Sequence, residues 1–429
     1  MSELRQVNLS VKELPKRWYN ILPDLPEPLP PPKDPDDGKS RLEMLPKLMI
    51  GECLKQEFSD KRWIPIPEEL QNLYLAAGRP RPLFRAINLE KRLKTKARIY
   101  YKAEFYSPTG SHKVNTALAQ AYFAKKEGYK RLTTETGAGQ WGTALAYAAA
   151  LTGIKCTIYW VRSVYNWKVA RRNLMKMFGA EVYASPSDKT EFGRRIWEKD
   201  HNHPGSLGIA ISEGLEDSLK DPKAVYCLGS VLNHVLLHQT IIGLETQKQF
   251  AKFGDYPDIM ISCLGGGSNF GGFVLPFVRD VLKGEKKIRF IAVQSQVSPN
   301  LQGEYRYDFA DYAETTPLLK MYTLGHKIDM KPIWADGLRY HGAAPILSLL
   351  RKHGYIETLA YPQNERYPFK AAKLFTETEG FIPAVESSYG IAHAIDEALK
   401  PENAGKVIAV NVSGHGFMDM EGYQKVLGL

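Results

Sequence analysis

From about residue 98 the chain repeats one arrangement: a short apolar run, a glycine-rich turn, then a stretch whose apolar residues recur at helical spacing. RIYYKAEFY (98–106) leads through SPTGSHK to VNTALAQAYFAKKEG (114–128), and RLTTET (131–136) leads through GAGQWG to TALAYAAALTG (143–153). CTIYWVR (156–162) leads through a loop to VARRNLMKMFG (169–179) and then to AEVYAS (180–185). Later, DIMISCL (258–264) leads through GGGSNFGG to FVLPFVRDVLKG (273–284), and IRFIAVQS (288–295) and KVIAVNV (406–412) are further apolar runs. Runs of this length read as buried strands, and the segments between them as helices. Their alternation predicts an α/β fold of mostly parallel sheets with helices on both faces. In such folds ligands sit beyond the carboxyl ends of the strands, where the glycine-rich turns fall.

The first 80 residues lack this alternation. Between Pro23 and Pro35 seven of thirteen residues are proline, followed by Asp36, Asp37 and Gly38, which predicts an extended arm. GRPRPLFRA (78–86) then reads as an extended lead into the main body. No internal repeat is detected.

Composition narrows the class. With 429 residues and 44% hydrophobic content the chain can bury a large core, in two domains or one composite one. There is no apolar run of 18 residues, and the start MSELRQVNLSVKELPKRWYN has no signal-peptide pattern, so a cytoplasmic protein without membrane contact is expected. Cys53, Cys156, Cys227 and Cys263 are far apart with no CxxC pair, indicating neither a disulfide framework nor a zinc ribbon. The net charge of +10 would suit a nucleic-acid binder, yet the basic residues are scattered among acids with no recognisable nucleic-acid module. An enzyme acting on anions fits better, and no nucleic-acid partner is expected.

Three glycine-rich turns carry the chemistry. GAGQWG (137–142) matches a dinucleotide fingerprint, but residues 155–166, KCTIYWVRSVYN, supply no acid for the ribose, and Glu135 stands just ahead. Backbone N–H groups at a helix start would bind a small carboxylate equally well. GGGSNFGG (265–272) reads as a phosphate cup, with Ser268 and Asn269 adding side-chain donors at the helix start. It lacks the Gly-Lys-Ser/Thr ending of a nucleotide P-loop, so Mg-ATP is not implied. In SPTGSHKVN, Lys113 falls at a helix start, where the macrodipole disfavours its charged form. A phosphate held without magnesium, together with a lysine inclined to neutrality, suggests pyridoxal 5'-phosphate.

The motifs GRPRPL, GSHKVN, ETGAGQWG, LGGGSNFGG, EGFIPAVESSYGIAHA and VNVSGHG occur in the order and spacing of one family. From about residue 78 to 420 the chain resembles tryptophan synthase β chains, in particular their second, divergent and often archaeal branch. The resemblance implies the type II pyridoxal-phosphate fold with the cofactor in an interdomain cleft. A larger domain would comprise 79–111 and 236–429, and a smaller one 112–235 with a mobile segment over about 128–222. Residues 1–78 would be an extension packing on the body. The implied reaction is β-replacement: L-serine loses its hydroxyl, giving an aminoacrylate to which indole adds.

On that resemblance Lys113 is the Schiff-base lysine and later the base at Cα, and Glu135 is the catalytic acid that protonates the leaving group and assists indole. His112, Lys113, Asn115, Gly265, Gly266, Gly267, Ser268, Asn269, Glu386 and Ser413 would hold the cofactor, Ser413 at the pyridine nitrogen. Thr136, Gly137, Ala138, Gly139 and Gln140 would receive the substrate carboxylate. The family also implies a β homodimer, a monovalent cation for which no side-chain ligand set is legible, and in some members an α chain. No metal ligand is assigned. The chain departs from the family where GLRYHG replaces GLDYP, where Trp141 replaces a histidine, and where His415 replaces an arginine. A cation at Arg339 in place of an acid that engages serine's hydroxyl raises O-phosphoserine as the donor, gripped by paired hydrogen bonds, against a guanidinium merely paired with Asp336. Serine or threonine dehydratases and cysteine synthases would share the lysine and cup but not the Glu-Thr-Gly-Ala-Gly-Gln loop. A nicotinamide oxidoreductase remains the remote alternative.

Overall fold

A computed structural model describes residues 4–429. The seven strands of the larger sheet run, in spatial order, Gln6–Val7, Leu83–Arg85, Arg98–Ala103, Val407–Val412, Ile259–Cys263, Arg289–Ser295 and Ile356–Tyr361. The last five are mutually parallel; at one edge Leu83–Arg85 runs against them, and Gln6–Val7 runs against Leu83–Arg85 and so in the direction of the five. The four strands of the smaller sheet, Glu181–Ser185, Lys155–Val161, Arg131–Thr136 and Ala224–Tyr226, are all parallel. Every residue of Ile259–Cys263 and Val407–Val412 is buried, which is why these strands read as unbroken apolar runs rather than alternating ones.

Two boundaries differ from the sequence reading. Strand Arg98–Ala103 ends at Ala103, short of the apolar run to Tyr106, because the next residue, Glu104, turns into a buried ionic cluster. The helix expected from residue 143 starts at Gln140, because Gly139, at φ 88°, supplies a left-handed start that L residues rarely adopt. A Cβ there would also fall 2.5 Å from the Trp160 and Arg171 side chains. This helix, Gln140–Thr152, is apolar almost all round and almost wholly buried, as is Val114–Lys126 beside it.

The proline arm is extended and lies against the body, through a bridge from Lys33 to Leu318, a hydrogen bond from the Tyr307 hydroxyl to Pro31 O at 3.0 Å and an ion pair of Glu27 with Lys352 at 2.8 Å. The N-terminal region is more than an arm, however. Gln6–Val7 forms the edge of the larger sheet, and Arg17–Tyr19 pairs with Trp63–Pro65, burying Trp18 completely. The hairpin of Glu304–Asp308 with Leu319–Thr323 was not foreseen, since EYRYD and LKMYT are strands with little apolar alternation. Among the described residues no helix is long and apolar enough to cross a membrane.

Candidate active site

The two sheets direct the carboxyl ends of their strands at one cavity. Glu135 and Thr136 close strand Arg131–Thr136, Gly265–Asn269 follow Ile259–Cys263, and Ser413 follows Val407–Val412. Lys113 stands immediately ahead of helix Val114–Lys126. The cavity is lined by His112, Lys113, Glu135, Thr136, Gly137, Ala138, Gln140, Gly265, Gly266, Gly267, Ser268, Asn269, Arg339, Glu386 and Ser413. Residues from across more than 300 positions of sequence therefore meet at one place.

The Lys113 ammonium donates to Gly229 O at 2.6 Å and to Ser268 Oγ at 2.9 Å. No carboxylate pairs with it, and burial pulls its pKa down to about 8. Glu135 shows the reverse effect of the same cause, its carboxyl pushed up to about 7 by burial. Its Oε2 accepts a hydrogen bond from the Tyr226 hydroxyl, and the Thr134 hydroxyl lies 3.3 Å away. His112, with Nε2 3.2 Å from Ser268 Oγ, is held neutral by burial, its pKa lowered to about 3.

The glycine cup is sterically required. A Cβ on Gly265 would lie 2.2 Å from Gly337 O, on Gly266 2.5 Å from Ser230 Oγ, and on Gly267 2.7 Å from Leu347 Cδ1. The cup opens helix Ser268–Leu282, so its N–H groups and the positive end of the dipole face the cavity. Ser268 contributes its hydroxyl as expected. Asn269 does not contribute its side chain: the amide donates to Ser262 Oγ at 2.6 Å and accepts from Asn411 at 2.6 Å, turned into the sheet.

Asn115 is also displaced from its expected role. It does not line the cavity; its Oδ1 accepts from Arg79 Nε at 2.9 Å and its amide donates to Gln239 at 2.8 Å. One residue beyond Val114 the helix has turned this side chain to the opposite face. Gly139 lies behind the lining and shapes the helix start instead. Gln140 reaches across the cavity to donate to Glu386 Oε2 at 3.0 Å, while Glu386 Oε1 accepts from Gly337 N at 3.0 Å. Arg339 lines the cavity and forms an ion pair with Asp336 at 2.7 Å, also donating to Met330 O at 3.2 Å.

Several lining or supporting residues escaped the sequence reading. Ser387 Oγ lies 2.8 Å from Ser413 Oγ and accepts from Ser413 N at 3.0 Å. Gly229, Ser230 and Val231 form one wall, Val231 at φ 73°, where a β-branched residue is rare. Asp336 brings a second acid, its Oδ2 3.4 Å from where a Cβ on Gly137 would sit. Ser387 lies inside the quoted ESSYG segment and Asp336 enters the sequence argument only as a partner for Arg339; the wall Gly229–Val231 carries no sequence signal.

Comparison with known proteins places this geometry. The family model described as "Pyridoxal-phosphate dependent enzyme" matches residues 74–414. Tryptophan synthase beta chain 2 of Thermococcus kodakarensis is 56% identical over 419 residues, covering 97% of this chain and 94% of its own. The chain belongs to the tryptophan synthase β-chain family. The tryptophan synthase beta chain of Pyrococcus horikoshii is 56% identical, with 97% of this chain and 91% of its own covered. Beta chain 2 of Aeropyrum pernix is 56% identical, with 98% and 94% covered. Among solved structures, a fungal L-serine ammonia-lyase from Rhizomucor miehei superposes with a TM-score of 0.60 at 17% identity, covering 80% of this chain and 97% of its own, a likeness of fold. The fold is that of type II pyridoxal-phosphate enzymes.

The residues present fit the family's cofactor. The cup that side chains would fill leaves backbone donors for a phosphate, the lowered pKa of Lys113, about 8, brings its neutral form within reach, and Ser413 offers a neutral hydroxyl at the far wall. Cofactor, fold and family agree.

Proposed function

We propose that the chain makes L-tryptophan by replacing the β-substituent of a serine-type amino acid with indole, using Lys113 and Glu135 as its proton-transfer groups. The observation that carries this reading is the presence, in one buried cavity, of a lysine, Lys113, whose pKa is lowered to about 8 and a glutamate, Glu135, whose pKa is raised to about 7. Groups whose pKa values lie near the working pH exchange protons most effectively.

When bound, pyridoxal phosphate supplies an electron sink for the carbon next to the amino group. The protein's part follows from its atoms. His112, Ser268 and the backbone of Gly265–Asn269 would hold the phosphate, and Ser413, fixed by Ser387, would serve the ring nitrogen as a neutral partner that does not favour its protonation. The loop Thr136–Gln140 binds the substrate carboxylate with the first turn of helix Gln140–Thr152. Lys113 Nζ takes the proton from the substrate's α carbon. Glu135 delivers a proton to the departing β-substituent and then, as a carboxylate, assists indole's attack. The enclosing walls exclude water during these steps.

The donor turns on Arg339. Paired with Asp336 it presents a neutral end, suited to the hydroxyl of L-serine, with Asp336 available to accept that hydroxyl. Because the guanidinium also lines the cavity, O-phosphoserine is the second reading, in which the phosphate displaces Asp336. Steady-state rates of tryptophan formation with each donor, in wild type and Arg339→Ala, decide between them. Serine preference unchanged by the substitution establishes the first, and a phosphoserine preference lost with it establishes the second. No tryptophan from either donor overturns the function. We further propose a homodimer, which a monomeric mass in sedimentation would exclude.

A further inference from the structure

Behind Glu135, on the side away from the cavity, lies the ring of Tyr226, the last residue of strand Ala224–Tyr226. The ring packs against helix Leu207–Lys220, where a Cβ on Gly214 would come within 3.0 Å of it. Its other face borders a second, almost wholly apolar cavity under the N-terminal region, walled by Leu48, Met49, Phe58 and Leu215. Tyr226 thus forms the partition between an apolar space and the acid of the active site.

The hydrogen bonds at the Glu135 carboxyl are asymmetric. Both hydroxyls that approach it, Tyr226 and Thr134, do so at Oε2. Thr134 has one proton and a closer acceptor in Cys227 O at 2.5 Å, while its oxygen accepts from Trp141 Nε1 at 2.7 Å. Tyr226 is therefore the donor to Oε2. A carboxyl oxygen that accepts a strong hydrogen bond is the poorer place for a proton, so the proton goes to the other oxygen.

We propose that Tyr226 is a positioning residue for Glu135: by donating its hydroxyl to Oε2 it leaves Oε1 as the oxygen that gains and loses the proton toward the substrate. This rests on the reading of Glu135 as the site's acid and base. The bond also favours the carboxylate, opposing the burial that raises Glu135, so Tyr226 holds the group within reach of both protonation states. Burial keeps the phenol itself protonated throughout. The other titratable groups facing Glu135 are Lys113 from the helix start, Cys227 from the residue after Tyr226, and Tyr340 from the loop that carries Arg339.

The test uses the cofactor-loaded enzyme and two variants, Tyr226→Phe and fluorotyrosine incorporated at 226. The protonated-carboxyl infrared band of Glu135 is identified by its loss in Glu135→Gln and followed against pH without turnover. Loss of the donor in Tyr226→Phe should move the midpoint up by about 1 to 2 pH units, and the stronger donor fluorotyrosine should move it down. The inflection in kcat should follow in the same directions, with KM for the amino-acid donor changed by less than about twofold. Midpoints that stay together within about 0.3 pH units, or a rate lowered at every pH with its profile unmoved, would overturn the proposal. If Tyr226→Phe does not fold, the fluorotyrosine shift decides alone. Because the midpoint is read without turnover, a failure of tryptophan synthesis leaves this test standing and is distinguishable from it.

Discussion

Glu104 and Glu135 are both buried glutamates, and the protein drives them in opposite directions. Glu104 sits with two guanidiniums, Arg79 at 2.7 Å and Arg81 closer still, in a cluster that also pairs Lys102 with Glu245 at 2.7 Å. Burial alone would raise its pKa, but the two arginines and Lys102 outweigh it and hold the carboxyl down at about 2. Glu135 has no paired cation, only neutral hydrogen-bond donors such as the Tyr226 and Thr134 hydroxyls and a more distant lysine to oppose the same burial, and rises to about 7. Burial sets the size of the electrostatic stakes, and the partners set the sign. One glutamate is held as a fixed charge, and the other titrates near neutrality.

The two sites are also neighbours. Asn115 receives Arg79, and Tyr74 donates to the Asn115 carbonyl at 2.9 Å, so the compensated cluster braces the first turn of the helix that follows Lys113. Its charges remain fixed while those in the cavity change.

The largest effect expected from breaking this division is at Lys113. Lys113→Ala should lower tryptophan formation by about 10⁴-fold or more while leaving the denaturation midpoint close to wild type. A comparable loss of stability would mean that Lys113, like the cluster, holds structure. Next, Glu104→Gln should destabilise the protein by about 3 to 5 kcal/mol, since it takes the paired anion from buried Arg81 and leaves Arg79 with Glu245 alone. Denaturant unfolding measures this, and an effect below about 1 kcal/mol would remove the claim that the cluster is compensated.

The same substitution at the other glutamate should do the reverse, with a smaller effect that depends on pH. Glu135 binds its proton more tightly folded than unfolded, so its contribution to stability is fully present below its ordinary value of 4.5 and is lost as pH rises to about 7. Glu135→Gln should therefore match wild type near pH 4.5 and exceed it by about 3 kcal/mol above pH 8, even as activity falls. Unfolding free energies across that range check it; parallel curves for the two proteins would show that Glu135 does not titrate as described.

Much of this was legible beforehand. The parallel strands were readable because they are buried on both faces and so nearly unbroken in apolar character. The cup was readable because three consecutive glycines are demanded where chain crosses chain at 2.2 to 2.7 Å from a would-be Cβ. Asn115 and Asn269 were misread for one reason: adjacency in a motif does not decide which way a side chain faces, and both amides serve buried partners far away in sequence. The hairpin at 304–323 was missed because its strands carry little apolar alternation.

By itself the sequence determined the alternating buried strands and helices around the glycine turns, the turns themselves, and the lysine, glutamate and serine placed at strand ends and helix starts, since these depend on local periodicity and backbone sterics. Only the tertiary structure decided that Arg339 meets Asp336, that Tyr226 donates to Glu135, and that the pKa of Glu104 falls where that of Glu135 rises. Those outcomes depend on which groups lie within a few ångströms in a poorly screened interior, and residues separated by up to hundreds of positions are brought to such distances only by the fold.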